Sequence, residues 1–235
     1  MEKAVIIPVF NEARDVSNVL RKIRQYHDGR IIAIDDGSTD GSGDILAQSG
    51  EAGIISHETN EGYGKSLIDG FARAVEAGVD LVVTIDCDEQ HEPAMIPQMF
   101  QMIGKLDVLS GSRYLEESGA HDAPPLQRRE INMRITQVIN QLTGYRLTDS
   151  FCGFKCYKTG ALKRIELDEP GYAMPLQFWM RACAAGLAVG EIAVPRIYKN
   201  LDRSFGGGID DPEIRLRYYM GVIEKEREKC QTSSS

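Results

Sequence analysis

No apolar run in this 235-residue chain approaches the length of a membrane span. The longest are about five residues, against roughly twenty needed to cross a bilayer. Arg181 interrupts the most hydrophobic long stretch, Met174 to Gly190. Cysteine is scarce and odd in number, at positions 87, 152, 156, 183 and 230, which argues against a disulfide framework. Cys152 and Cys156 form a C-x3-C pair, but no second Cys/His pair completes a zinc site. Reduced thiols in the cytoplasm are therefore expected. A basic surplus is missing too: 27 Lys and Arg against 35 Asp and Glu give a net charge of −8. This argues against a nucleic-acid binder built on phosphate neutralisation, while leaving room for a local basic patch. No signal peptide precedes the first strand, so a cytoplasmic protein is expected, with any membrane contact peripheral and on the inner face. Neither an internal repeat nor a separating linker is present. The chain reads as one large domain, or one domain with a C-terminal extension.

Two phosphate-binding signatures are incomplete. Gly62-Tyr63-Gly64-Lys65-Ser66 ends in Gly-Lys-Ser, but the Walker pattern needs glycine at position 59, which is Thr. The G-x-G-x-x-G pattern fails at Leu67. Neither a P-loop NTPase nor a Rossmann dehydrogenase is supported. The segment reads either as a glycine-rich turn into a helix packed on a sheet or as a backbone contact for phosphate.

What the chain does carry is apolar strands that end in acid. Leu81-Val82-Val83-Thr84-Ile85 runs into Asp86-Cys87-Asp88-Glu89-Gln90-His91. Ala4-Val5-Ile6-Ile7-Pro8-Val9 ends in Phe10-Asn11-Glu12, and Arg30-Ile31-Ile32-Ala33-Ile34 ends in Asp35-Asp36-Gly37-Ser38-Thr39-Asp40. Open α/β sheets bind ligands at the carboxyl ends of their strands, so three such endings predict one acidic crevice. Asp86 and Asp88 offer hard oxygen ligands for Mg²⁺ or Mn²⁺ bridging a diphosphate. An isolated Asp-x-Asp is more often a solvated loop; its company upstream sets this one apart.

The alternation continues along the chain. Helical spacing of Val16, Val19, Leu20 and Ile23 predicts a helix over 15–26. Further helices are expected near 41–48, from 62 to 78, and after Pro93, with strands at 53–56, 80–85 and 107–110. Such alternation implies a parallel sheet covered by helices on both faces. After Gly111-Ser112-Arg113-Tyr114 the regularity ends. Residues 115–126 read as a loop, followed by helices at about 127–143 and 172–186 and strands at 154–157 and 189–194. Residues 200–211, with three consecutive glycines, read as irregular, Pro212 opens a last helix, and a disordered tail is expected from 231.

Cations in or near this crevice each have a bland reading and a functional one. Arg113 suits a diphosphate through bidentate bonds, or a salt bridge to a crowded carboxylate. Arg128 and Arg129 open a helix, where cations are unfavourable unless an anion binds or solvent screens them. Arg203 is a candidate lid cation. His91 and Gln90 are candidate metal or donor contacts, although a lone histidine is usually neither.

Together these segments resemble the family 2 inverting glycosyltransferases of the GT-A type. The likeness covers about residues 4–204 and is greatest to the dolichyl- or polyprenyl-phosphate sugar transferase branch. It rests on Val5 to Glu12, Ile34 to Asp40, Asp86 to Pro93 and Gly111 to Tyr114. The resemblance implies an α/β GT-A fold, a mostly parallel Rossmann-like sheet, over 1–205, with a C-terminal helix and tail over 206–235. It implies that Pro8, Phe10, Glu12, Ile34, Asp36, Asp86 and Cys87 line the nucleotide pocket. Asp86, Asp88 and Gln90 would hold Mg²⁺ or Mn²⁺. Asp88, Arg113 and Arg203 would carry the chemistry, and Arg128 and Arg129 the acceptor phosphate. The implied reaction moves a hexosyl unit, with inversion, from a GDP- or UDP-sugar to a polyprenyl phosphate at a membrane surface. Three features depart from that branch: Gln177 stands where Glu is frequent, Gly206-Gly207-Gly208 replaces a cationic stretch, and C-terminal transmembrane helices are absent.

Members acting on a hydroxyl carry a catalytic Asp in a Glu-Asp pair where this chain has Leu176-Gln177-Phe178-Trp179. A hydroxyl nucleophile needs a base in reach; a phosphate monoester with a second pKa near 6 is already an anion. The missing base favours a phosphate acceptor. Asp149 is the one carboxylate that could rescue a saccharide or other hydroxyl acceptor. A nucleotidyltransferase is disfavoured by Phe10-Asn11-Glu12, which is not its glycine-rich, basic signature. A non-catalytic nucleotide-sugar binder is disfavoured by the intact Asp86/Asp88 pair. In the last helix Ile214, Tyr218, Val222 and Ile223 form a stripe beside Arg215, Arg217, Lys225 and Arg227. That stripe faces either the core or a membrane.

Overall fold

A computed structural model describes residues 1–115, 126–197 and 208–232. The elements run β1 (Lys3–Val9), α1 (Val16–Arg24), β2 (Arg30–Asp35), α2 (Ser42–Ser49), β3 (Gly53–Ser56), α3 (Tyr63–Glu76) and β4 (Leu81–Thr84). A short 3₁₀ turn (Pro93–Met95) then leads into α4 (Ile96–Met102), β5 (Val108–Ser112), α5 (Leu126–Thr143) and β6 (Lys155–Lys158). Last come α6 (Thr159–Leu162), α7 (Met174–Ala184), β7 (Val189–Ala193) and α8 (Pro212–Thr232).

Among the described residues, seven strands form one sheet in the order β3-β2-β1-β4-β6-β5-β7. The β1–β2, β1–β4, β2–β3 and β5–β7 pairs are parallel, whereas β6 runs antiparallel to both β4 and β5. The mostly parallel sheet expected from the βα alternation is therefore present, with one reversed strand. That reversal has a consequence for the site. Because β6 runs the other way, the loop that enters it, 149–154, arrives at the edge where β1, β2, β4 and β5 end.

Successive residues of a strand point to opposite faces, so each apolar run feeds two cores. Ala4, Ile6, Ile32, Ile34, Val82, Val108 and Tyr157 pack with α3, α5, α6, α7 and α8. Val5, Ile7, Val9, Ile31, Ala33, Val83 and Leu109 pack with α1, α2 and α4. Continuous apolar strands are what a sheet covered on both faces requires. Gly70 in α3 shows how close the first layer lies, since a Cβ there would stand 2.7 Å from Ile6 Cγ2.

The last helix packs on the core. Tyr219, Val222 and Ile223 belong to the same buried cluster as α5 and α7, and Arg215 and Glu226 on that face are also buried. The stripe that read equally as a membrane face is thus largely occupied by protein, with Ile214 left exposed. The helix continues to Thr232. The loop 116–125, the segment 198–207 with Arg203, Gly206 and Gly207, and residues 233–235 of the expected tail lie outside the described residues.

Candidate active site

A cavity of about 950 Å³ opens at the carboxyl edge of the sheet. The strand ends supply one wall through Pro8, Phe10, Glu12, Asp36, Asp86, Asp88 and Gln90. Helices α5, α7 and α8 supply another through Arg128, Asn132, Pro175, Arg215, Tyr218 and Tyr219. Phe10 is 44% exposed at this wall, a large apolar side chain left uncovered where a ligand would sit.

The loops at the strand ends are tied to one another. Asn11, at φ 55, donates its backbone N–H to Ser38 Oγ at 3.0 Å, and its side-chain oxygen accepts from Thr39 at 2.9 Å. Asp40 accepts from the N–H groups of Ala13 and Ser42 at 2.9 and 3.0 Å. Gly37, at φ +69, lets this loop pass the backbone of Thr59, where a Cβ would fall 2.4 Å from its carbonyl carbon. Glu89 also adopts a left-handed φ of 56, which costs about 1 kcal/mol for a non-glycine residue. Lys22 Nζ holds its carboxylate at 2.6 Å, and Asn18 also donates to it.

Asp86 is locked from two sides. The Tyr63 hydroxyl donates to Oδ1 at 3.0 Å and His91 Nε2 lies 2.9 Å from Oδ2. Burial lowers the His91 pKa despite the Asp86 and Asp88 carboxylates; facing a carboxylate, which only accepts, Nε2 carries the hydrogen and donates. Burial and the Asp86 charge push the Tyr63 hydroxyl well above its ordinary range. A Cβ at residue 153 would stand 2.3 Å from Asp86 Oδ2, so a larger residue there would displace this carboxylate. Asp88 Oδ1 accepts from the Gln90 N–H at 3.1 Å.

Arg113 and Asp149 form the other fixed pair. Arg113 Nε and Nη2 reach the two oxygens of Asp149 at 2.7 and 3.0 Å, and Asn132 adds a third contact at 2.9 Å. Burial alone would raise the Asp149 pKa, but the Arg113 charge and these hydrogen bonds prevail and lower it to about 2. Such a carboxylate is a weak base, and both its oxygens are occupied.

The glycine-rich segment that opens α3 packs closely on residues 169–171. A Cβ at Gly62 or Gly64 would meet the carbonyl oxygens of Pro170 or Glu169 at 2.4 and 2.2 Å. Lys65 Nζ pairs with Asp69 at 2.6 Å. Gly62, Tyr63 and Ser66 nevertheless line the cavity.

The model of the family described as "Glycosyl transferase family 2" matches residues 4–166. The chain belongs to that family. An undecaprenyl-phosphate mannosyltransferase of Micrococcus luteus is 27% identical over 218 residues, covering 89% of this chain and 89% of the relative. A dolichyl-phosphate hexose transferase of Haloferax volcanii is 30% identical over 199 residues, covering 82% of this chain and 81% of the relative. The fold matches glucosyl-3-phosphoglycerate synthase of Mycobacterium tuberculosis, crystallised with Mn²⁺, UDP and phosphoglyceric acid. That match has a TM-score of 0.73 at 17% identity, covering 96% of this chain and 78% of the other.

In this family 2 chain, Pro8, Phe10, Glu12, Asp36, Asp86, Cys87, Asp88, Gln90, Arg113 and Arg128 all line the one cavity. Ile34 does not: it is fully buried in the core beneath α3. Its neighbour Asp36, two residues on, reaches the cavity instead. Arg129 is exposed and outside the lining, one helical position round from Arg128. Tyr63, Asn132, Arg215 and Tyr219 line the cavity as well, although no spacing in the sequence assigns them to the site. Arg215 is buried, with Nη1 donating to the carbonyl oxygens of Ile209 and Asp210 at 3.0 and 3.3 Å.

Proposed function

We propose that the chain transfers a hexosyl unit, with inversion, from a GDP- or UDP-sugar to a polyprenyl phosphate. The observation that carries this reading is the state of Asp149, the carboxylate that the sequence offers as a base for an acceptor hydroxyl, which is fully buried. Asp149 is bound bidentately to Arg113 and held ionised, a poor proton acceptor. At the start of α7, Gln177 stands in place of an acid. Its Oε1 accepts from the backbone of Asp168 and Glu169 at 2.8 and 2.9 Å, so it too is committed to structure. An acceptor arriving as a phosphate anion needs no base. The M. luteus and H. volcanii relatives, named for lipid-phosphate acceptors, support the same choice.

In the proposed reaction an acceptor phosphate oxygen bonds to the anomeric carbon as the bond from that carbon to the diphosphate oxygen breaks. A nucleoside diphosphate leaves. Asp36 and its neighbours Pro8, Phe10 and Glu12 hold the nucleoside; Arg113 and Arg128 face the charge of the two phosphate groups.

A divalent cation fits the Asp86–Gln90 wall. Asp88, Asp86 and the Gln90 side chain supply hard oxygen donors suited to Mg²⁺ or Mn²⁺, which are commonly held by one or two carboxylates with substrate phosphates completing the shell. No group of three His, Cys, Asp or Glu residues suited to a metal occurs among the described residues. When bound, the cation would stabilise charge on the departing diphosphate. In this reading Asp86, oriented by Tyr63 and His91, and Asp88 would both be ligands.

Release of nucleoside diphosphate from a panel of nucleotide sugars, with Mg²⁺ or Mn²⁺, tests the assignment. Release should rise with polyprenyl phosphate and stay at background with the parent alcohol. Transfer to the alcohol or a free saccharide, abolished in Asp149→Asn, would replace this reading with a hydroxyl acceptor.

A further inference from the structure

Asp36 is also the first member of a chain of charges, buried at Asp36 and part-exposed at Asp69 and Lys65, whose other members the reaction above does not use. His57 directly follows β3, and its backbone N–H donates to the Asp35 carbonyl at 2.9 Å. Its ring Nδ1 lies 2.7 Å from Asp36 Oδ1, and its Nε2 lies 2.9 Å from Asp69 Oδ2 on α3. Ionised carboxylates only accept hydrogen bonds, so both ring nitrogens must carry hydrogen and the ring is an imidazolium. Lys65 Nζ grips both oxygens of Asp69 at 2.6 Å, and Glu61 adds a further negative charge close by. Burial disfavours a charged His57, but its bonds to Asp36 and Asp69 prevail and raise its pKa above the ordinary value.

We propose that His57 is a positioning residue for nucleotide recognition, whose imidazolium clamps Asp36 to Asp69 and so aims the carboxylate at the nucleoside. The proposal deepens the reading of Asp36 as a nucleotide contact and rests on it. A carboxylate has about four acceptor positions. In Asp36 one is taken by His57 and two by the N–H groups of Glu61 and Gly62, at 2.8 and 2.9 Å. The clamp therefore orients the position that faces the cavity, and it ties the turn before α3 to the end of β2. A neutral imidazole donates through one nitrogen only. Once the proton leaves, the other nitrogen presents a lone pair to a carboxylate, and one of the two contacts must open.

The direction with pH follows from the raised pKa. The clamp is complete below the ordinary histidine value of about 6.5 and is lost as pH rises through the higher folded value. Nucleotide affinity should fall over the same interval. His57 contacts neither Asp86 nor Asp88 in this structure, so the effect should be visible without metal.

Calorimetric binding of UDP and GDP without metal, from about pH 6 to 9, reads this directly. The wild type should weaken about tenfold through one step, the scale of a lost charged hydrogen bond. His57→Gln should bind weakly and without the step. In parallel, ¹⁵N NMR of the wild-type protein should show both His57 nitrogens protonated at pH 7, a readout that needs no variant to fold. A neutral His57 ring at pH 7, or a pH step that persists in His57→Gln, overturns the proposal. Unchanged affinity in Asp36→Ala removes Asp36 from the pocket and defeats the underlying reading instead.

Discussion

At the residue scale, two aspartates of this site have opposite duties. Asp149 is structural in its electrostatics: fully buried, paired with Arg113, and lowered from 3.8 to about 2. A carboxylate with a depressed folded pKa contributes stability that is complete above its unfolded value. That contribution, about 2 kcal/mol here, is lost as pH falls through the folded one. Asp149→Asn removes the charge while Arg113 stays in place, so a loss of about 3–5 kcal/mol is expected. Thermal unfolding at pH 7 measures it; a shift under 1 °C would show that the pair contributes little. Asp88 is instead a proposed metal ligand. Asp88→Asn keeps the shape and removes a negative charge, and should lower turnover by about 10²–10³-fold with the melting temperature unchanged. Near-wild-type turnover at saturating Mg²⁺ would end the metal assignment.

Among the elements, α3 is the one whose glycines matter most, and they differ in kind from the glycine of α6. Gly70 lets α3 sit against β1 and β2, since its Cβ would come within 2.7 Å of Ile6 Cγ2 and 3.0 Å of Ile34 Cδ1. Gly70→Ala should cost about 1–3 kcal/mol through overpacking. Nothing lies within 4 Å of a Cβ built at Gly160. Gly160→Ala should stabilise by up to about 1 kcal/mol, because alanine restricts the unfolded chain and favours the helix. Denaturant melts of the two variants should move in opposite directions. The strand β6 matters through its direction, because Gly153 and Asp149 reach Asp86 and Arg113 only if the chain enters the sheet at the crevice edge.

For the whole molecule, α8 determines how an acceptor can be met. Its apolar face, with Tyr219, Val222 and Ile223, is buried against α5 and α7. No helix among the described residues is long and apolar enough to cross a membrane. The apolar face of this helix is thus filled by the protein itself rather than left for a bilayer. Transfer to a short-chain, water-soluble polyprenyl phosphate should therefore proceed without vesicles, at a kcat within about threefold of that with anionic liposomes. Strict dependence on vesicles would show that a lipid surface supplies part of the site.

The amino-acid sequence by itself determined the alternation of strands and helices and the acid at three strand ends. These signals are local: apolar periodicity, turn residues, and carboxylates within a few positions of a strand terminus. It also carried the order of segments that marks the family. Tertiary structure decided what those residues do to one another. Arg113 meets Asp149 across 36 residues and Tyr63 meets Asp86 across 23, and no spacing rule reaches so far. The same holds for the face of α8. Its stripe of Tyr218, Val222 and Ile223 suits a membrane or a core equally, and only the packed surface of α5 and α7 selects between them. Ile34 and Asp36 make the point most simply. They stand two residues apart and look equally apt for a pocket, but β2 ends at Asp35. Ile34 stays within the strand beneath α3, and Asp36 falls in the loop that opens to the crevice.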